Sequence, residues 1–301
     1  MAQFSISNAA FTGFGVVRHR PAAVAIWTVV QLVVSGGVWV MLAMRFGPLL
    51  HQISALSAAQ SQDPAQLVAL SHELLPLDGY ATLFSLIFYS MLFATMNRAV
   101  LHPEDDAFGY IRLGADEFRQ LGLMVIFMLF GVVGAFVLVI VATIVAVALG
   151  GGSQATAEAS IIVMPLFLSA VVFFTVRFSL ASAQTFATKT INVFGSWALT
   201  KGRALPIFGA YLLAFCLLIV VTLLGAVVIS AAREAAGGQD MWDIIVGPQP
   251  ASLASFISPA RIIQLVLSAA LGAISWPIMT TPAPTLYKAI VGDGAASSDV
   301  V

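Results

Sequence analysis

Residue types that carry out catalysis or hold metal ions are few in this chain and are scattered along it. The sequence contains no phosphate-binding glycine loop, no GxSxG elbow, no HExxH helix and no CxxC pair. Cys216, the only cysteine, lies in an apolar run and is interpreted as a packing residue. His51, His72, Glu73 and Asp78 lack close metal-ligand spacing and are interpreted as solvated surface. We therefore expect a protein that is not an enzyme and that has no catalytic, cofactor or metal site.

One cluster of basic residues indicates a binding chemistry. No acidic residue occurs between Glu158 and Glu234, so the connection within that stretch is purely cationic. Each basic residue near an anionic leaflet contributes roughly 1 kcal/mol to membrane binding. Anionic phospholipid headgroups are thus a candidate partner; the alternative is topology enforcement together with ion pairing to the acidic segment 104–117. The candidate headgroup contacts are Arg177, Lys189, Lys201 and Arg203.

Prolines inside apolar runs indicate a second kind of candidate site. Broken helices can present free main-chain groups to an ion or a solute inside a membrane. The alternative interpretation is a proline-kinked helix without a ligand. The candidate helix-break residues are Pro165, Pro277, Thr280 and Thr281.

The composition excludes most other classes of protein. The 301 residues are 60% hydrophobic and 9% charged, whereas soluble domains are about 25% charged. The mean hydropathy is +0.99, and the net charge of -1 provides no general attraction to nucleic acid. A soluble enzyme, a nucleic-acid binder and a disordered protein are therefore excluded, and a multi-pass membrane protein remains.

Six apolar runs have the length that a helix needs to cross a bilayer, about 20 residues. None of them contains Asp, Glu, Lys, Arg or His, and the first is too long for a signal peptide, so we expect it to be retained. Ten basic residues fall on the side of the termini and three on the other side, which places both termini in the cytoplasm. The sequence predicts a protein of the bacterial inner membrane with spans at 22–44, 80–97, 122–150, 159–176, 205–230 and 262–287.

The spans group into three hairpins, each preceded by a short amphipathic segment. These segments, at 10–21, 103–121 and 185–200, are predicted to be helices in the cytoplasmic headgroup zone. The alternative is that they pack on the ends of the spans. The connection 45–79 is predicted to fold back as two short helices. The predicted fold class is thus an all-α membrane protein with six spans in one domain, 1–301.

Two stretches resemble a known family. Residues 177–181 (Arg-Phe-Ser-Leu-Ala) and 194–202 (Phe-Gly-Ser-Trp-Ala-Leu-Thr-Lys-Gly) resemble the membrane domain attached to some glycerophosphodiester phosphodiesterases and the YciC-type uncharacterised inner-membrane proteins of bacteria. The catalytic barrel of those enzymes has no counterpart in these residues. The resemblance therefore implies a membrane module without hydrolase activity.

Two functions remain open at this point. The first is a non-enzymatic module that binds or organises membrane lipids through the cationic connection and the amphipathic segments. The alternative is a transporter of a small solute or lipid, with a path between the hairpins near Pro165 and Pro277.

Overall fold

The computed structural model describes residues 5–58, 64–238 and 258–298, and every regular element within these ranges is a helix. Six helices are long and apolar enough to cross a membrane, which confirms a multi-pass helical membrane protein. The helices are α1 Ile6–His19, α2 Pro21–Ala58, α3 Pro64–Leu101, α4 Ala115–Ala148, α5 Gly152–Phe178, α6 Ala181–Thr188, α7 Val193–Thr200, α8 Ala204–Ala235, α9 Pro259–Thr280 and α10 Pro282–Ser298.

Side-chain caps fix several helix starts. The Ser5 hydroxyl accepts the Asn8 N–H at the start of α1. At the start of α7, the Asn192 side chain accepts the Gly195 N–H at 2.8 Å. The Glu117 carboxylate accepts the main-chain N–H of Gly114, the residue before α4, at 2.9 Å. These bonds satisfy donors that the first turn of a helix otherwise leaves free.

Five spanning helices, α2, α3, α4, α5 and α8, are longer than the apolar runs that predicted them. The predicted short helices of 45–79 are wrong, because α2 continues to Ala58 and α3 already begins at Pro64. The fourth span begins at Gly152 rather than at residue 159. Helices extend beyond hydrocarbon because the main chain still gains its internal hydrogen bonds there.

The second amphipathic segment is not one helix. A 3-10 turn covers Ala107–Tyr110, and Phe108, Gly109 and Tyr110 all have positive φ angles. The helical face predicted over 103–121 is therefore interrupted, and its regular helix begins only at Ala115. The third segment, 185–200, is also divided, since Lys189 takes a left-handed conformation that ends α6.

The sixth predicted span divides at Thr281, between α9 and α10. Pro282 and Pro284 have no N–H to donate back along the helix, so the hydrogen-bond ladder is interrupted there. The candidate span covers α9 and part of α10, from Pro259 to Gly292. The following helix, α10, buries Leu286 and Ile290 against α1, α5 and α8.

The buried core lies toward one end of the molecule, which we call the junction end. It comprises α1, α6, α7 and the first part of α10, together with the last turns of α3 and α5 and the first turns of α4 and α8. One cluster joins Ala9 of α1 to residues of α5, α8 and α10, and a second joins α2, α3, α9 and Tyr110. Along α4, by contrast, exposed apolar side chains predominate from Met128 to Val147. Such surface suits contact with hydrocarbon.

Helix α1 crosses α9 at very short range. A Cβ atom added at Gly13 would lie 2.6 Å from the main chain of Pro277 and Ile278, so only glycine fits at this crossing. Besides this contact, α9 packs on α8 and α2, whereas α4 packs on α5 and α3.

Candidate functional site

Arg177 lies in the last turn of α5, and its main-chain carbonyl is tied to α7. The buried Ser196 hydroxyl donates to this carbonyl at 2.8 Å and accepts the Leu180 N–H at 3.2 Å. Thr200, also buried, donates to the same carbonyl at 3.3 Å. Because the last carbonyls of a helix have no partner within the helix, these hydroxyls satisfy the end of α5 and hold α7 against it.

The guanidinium of Arg177 lies against two neighbouring aromatic rings. Its central carbon lies 5.4 Å from the ring centre of Phe173 and 5.2 Å from that of Trp197. Its Nε and Nη1 atoms are buried and have no hydrogen-bond partner among the residues that the structure describes. Aromatic faces attract a cation but do not accept its N–H bonds in the way an oxygen does. The site therefore presents a positioned cation with unused donors.

The loop from α6 to α7 is shaped by close packing. A Cβ atom at Gly195 would lie 2.2 Å from the Gln184 side-chain nitrogen, so the carboxamide of α6 occupies the space that glycine leaves free. Leu180 and Ala181 are fully buried beneath this loop. The residues that carry the family resemblance thus form one packed unit around the end of α5.

The other three predicted headgroup residues differ in their surroundings. Lys189 is ion-paired, because its Nζ lies 3.0 Å from the Asp116 carboxylate and 4.3 Å from the ring centre of Phe186. Lys201 is exposed and Arg203 is half-buried at the start of α8. Within the described part of the chain, no carboxylate lies within 4.0 Å of Arg177, Lys201 or Arg203. The alternative of pairing with the acidic segment therefore holds for Lys189 but not for these three.

A buried ion pair joins α3 to α4 and was not expected from the sequence. Arg98 Nη2 lies 2.8 Å from Glu117 Oε1, and Arg98 also donates to the Tyr110 carbonyl. Asp116 lies 3.8 Å from Arg98 and also pairs with Arg119 at 2.7 Å. The acidic first turn of α4 was visible in the sequence, but no local spacing shows that an arginine of the preceding helix reaches it.

Charged residues around this pair line an open cleft of about 690 Å³ at the junction end. Its lining contains four basic and four acidic side chains, together with His102 and Phe186. Most of the basic groups already have a carboxylate partner within the cleft, for example Arg112 with Asp105. The cleft is thus electrically balanced as a whole, unlike the surroundings of Arg177.

A polar network lies beneath the cleft. The Asn97 side chain donates to the Ser182 hydroxyl at 2.9 Å, and that hydroxyl donates to Gln120 Oε1 at 2.9 Å. The Gln120 amide returns a bond of 2.9 Å to the Ser182 carbonyl. All three side chains are buried, so the network links α3, α4 and α6.

The predicted helix-break residues do not form one site. Pro165 is exposed within α5, which continues through it, and the Ser169 hydroxyl donates to its carbonyl at 2.8 Å. Pro277 is buried where α1 crosses α9. Thr281 and Thr280 each donate to a carbonyl four residues earlier in α9, at 2.7 and 2.6 Å. The hydroxyls thus satisfy main-chain acceptors near the kink.

A scan against models of protein families, a search of curated proteins and a search of solved structures each found no match.

Proposed function

We propose that this protein is a non-enzymatic membrane module that binds the headgroup of an anionic phospholipid at Arg177. The observation that carries the proposal is the unpaired, partly buried guanidinium that lies against Phe173 and Trp197. A buried cation with unused donors is costly unless an anion satisfies it. A phosphate is the anion that matches a guanidinium in charge and hydrogen-bond geometry, and it is abundant at the depth where aromatic side chains collect in a bilayer.

Exposed apolar side chains support this depth for the site. Large apolar side chains are exposed on the loops, short helices and helix ends at the junction end, where the surface of a soluble protein would carry charges. Such side chains are favourable in the zone between headgroups and acyl chains. They are Phe11, Phe108, Leu113, Phe118, Ile191, Phe194 and Leu205.

The proposal includes the orientation and the arrangement of the spans. The excess of basic residues at the junction end favours a cytoplasmic location for that end and for both termini, in a bacterial inner membrane. Helix α4 packs on α5 and α8 packs on α9, which is compatible with an arrangement of the spans in helical hairpins. The resemblance to the phosphodiesterase-associated membrane domain remains a hypothesis, whose residues here surround the proposed site.

Lys201 and Arg203 extend the site toward the membrane surface. They follow Thr200, whose hydroxyl contacts the Arg177 carbonyl, and have no carboxylate within 4.0 Å among the described residues. Two further unpaired cations favour an anionic headgroup over a zwitterionic one, because each adds roughly 1 kcal/mol near an anionic surface. Lys189 is not part of this site, since its contacts are with Asp116 and Phe186.

The test measures lipid binding by the purified, delipidated protein with native mass spectrometry. Phosphatidylglycerol is expected to bind more tightly than phosphatidylcholine. Arg177→Gln is expected to lower the affinity for phosphatidylglycerol about ten-fold, which is the effect of losing a charge-assisted hydrogen bond. Arg177→Lys keeps the charge without the planar fork and should have an intermediate affinity.

The matched control is Arg112→Gln, which removes the same charge at the junction end. Arg112 is ion-paired with Asp105 and exposed, so its loss should change phosphatidylglycerol affinity less than two-fold. Equal losses in Arg177→Gln and Arg112→Gln would show that only net charge matters and would refute the proposed site.

A further inference from the structure

Two cavities of opposite character are stacked along α3. The lower one is an apolar crevice of about 130 Å³ between α2, α3 and α9, and the upper one is the charged cleft. Thr95 lines the crevice and Arg98 lines the cleft, three residues apart on one face of α3. A single extended segment separates them, because Ile111 faces the crevice and Arg112 the cleft.

The crevice has the size and character of a site for part of a hydrocarbon chain. Its surface is wholly apolar, and its lining includes Trp27, Phe88 and Trp276. Apolar cavities of about 150 Å³ in other proteins stay dry and bind benzene. Two of its lining residues, Phe84 and Ile87, are exposed on α3, so the crevice can be entered from the surrounding bilayer.

The cleft is balanced overall, but its ion pairs form two groups with opposite net charge. On one side, Arg98, Arg119 and Lys189 share only the carboxylates of Asp116 and Glu117. Three cations against two carboxylates leave this side positive.

The other side of the cleft is negative. Arg112 is paired with Asp105, and within the described residues Glu104 has one ion-pair contact, with His102 at 3.4 Å, which is charged only when protonated. The Glu104 side chain is 72% exposed. A ligand that carries a phosphate and an ammonium group would find a complementary charge at each side.

We propose that the cleft and the crevice together bind one zwitterionic phospholipid with a primary ammonium group, of the phosphatidylethanolamine class. The phosphate lies toward Lys189 and Arg119, the ammonium toward Glu104, and one acyl chain enters the crevice below. The separated charges favour this lipid over an anionic one, and the adjoining crevice favours it over a soluble zwitterion. The cleft volume falls within the range of small-molecule sites, about 300–1,000 Å³. This proposal does not rest on the Arg177 site.

The experiment compares phosphatidylethanolamine binding by the purified protein and four variants with native mass spectrometry. Glu104→Gln removes the ammonium partner, and Ile87→Trp fills the entrance of the crevice. Each is expected to lower the affinity about five-fold. Glu158→Gln and Leu83→Trp are the matched controls, since both residues are exposed and neither lines a cavity described above, and they should retain the affinity of the unmodified protein.

Three further measurements decide the outcome. Arg177→Gln should leave phosphatidylethanolamine binding unchanged, which separates this site from the anionic one. The proposal would be overturned if phosphatidylglycerol bound to the cleft as well as phosphatidylethanolamine does. Glu104→Gln would then lower the affinity for both lipids by the same factor. Displacement of the lipid by glycerophosphoethanolamine, the headgroup without chains, would overturn the proposal too, because a soluble zwitterion would then be the ligand. Equal losses in the variants and their matched controls would also overturn it.

Discussion

The buried ion pair between Arg98 and Glu117 is expected to be the most sensitive electrostatic contact in the described part of the fold. The two side chains are only 4% and 6% exposed, and their closest atoms lie 2.8 Å apart. Arg98 also donates to the Tyr110 carbonyl, and Glu117 also accepts the Gly114 N–H at 2.9 Å. One pair thus connects the end of α3, the 3-10 turn and the start of α4.

Replacing Arg98 by methionine keeps most of the side-chain volume but removes the charge. Glu117 would then be a buried carboxylate without its cation, and the Tyr110 carbonyl would lose a donor. Breaking a buried pair from one side costs about 3–5 kcal/mol, mainly because the remaining charge stays desolvated. We therefore expect the free energy of unfolding of Arg98→Met to fall by about this amount.

Equilibrium unfolding in mixed micelles with increasing dodecyl sulfate measures this loss. In the double variant Arg98→Met with Glu117→Gln, no uncompensated charge remains, so it should be about 1–2 kcal/mol more stable than Arg98→Met alone. Arg112→Met is the control, because its pair with Asp105 is exposed and should be worth at most about 1 kcal/mol. If Arg98→Met were no more destabilising than Arg112→Met, or if the double variant were the least stable, the reasoning would be refuted.

Two further predictions concern packing at the junction end and are read out by thermal unfolding in detergent. Ser196→Ala should cost about 1–3 kcal/mol, since the buried Leu180 N–H loses its acceptor, whereas the Arg177 carbonyl keeps the bond from Thr200. Ser160→Ala removes only an exposed bond within α5 and should cost less than about 0.5 kcal/mol, so similar losses in the two would contradict the capping role. Gly13→Ala should cost about 1–3 kcal/mol, because its Cβ would lie 2.6 Å from the main chain of α9. Gly15→Ala, with open space around it, should gain up to about 1 kcal/mol of stability; a gain in both variants would disprove the close crossing.

The crossing helices were predictable from the sequence because hydrocarbon imposes a simple rule. A run of about 20 residues without ionic groups satisfies its main chain only as a helix in that environment. The rule identifies the apolar part of a helix but not its ends. The sequence therefore missed the continuation of α2 to Ala58 and the unbroken helix that runs from Pro64 into the second span.

The second amphipathic segment shows where periodicity fails. Phe108 and Phe118 have helical spacing with the residues between them, yet the chain at Phe108, Gly109 and Tyr110 has positive φ angles. Phe108 and Tyr110 adopt this uncommon conformation in a tertiary setting where Trp27 donates to the Gly109 carbonyl at 2.7 Å. A contact across 82 positions leaves no local pattern in the sequence.

The candidate site was visible in part. The absence of acidic residues around Arg177 predicts uncompensated charge, and the described structure agrees for Arg177, Lys201 and Arg203. The pairing of Lys189 with Asp116 depends on the approach of α6 to α4, and the enclosure of Arg177 by Trp197 depends on how α7 folds back. Both are products of tertiary packing rather than of spacing along the chain.

The crossing of α1 over α9 at Gly13 has a consequence for biosynthesis. Helix α1 packs on α9 near Pro277, a segment that the ribosome makes long after α1. At a translation rate of about 5–20 residues per second, α1 waits on the order of tens of seconds before its partner exists. During that interval the face of α1 that contains Gly13 has no packing partner in α9. Docking of α1 therefore cannot begin before the chain has reached Pro277, and a chain that stops short of Pro277 leaves this helix without its partner in α9.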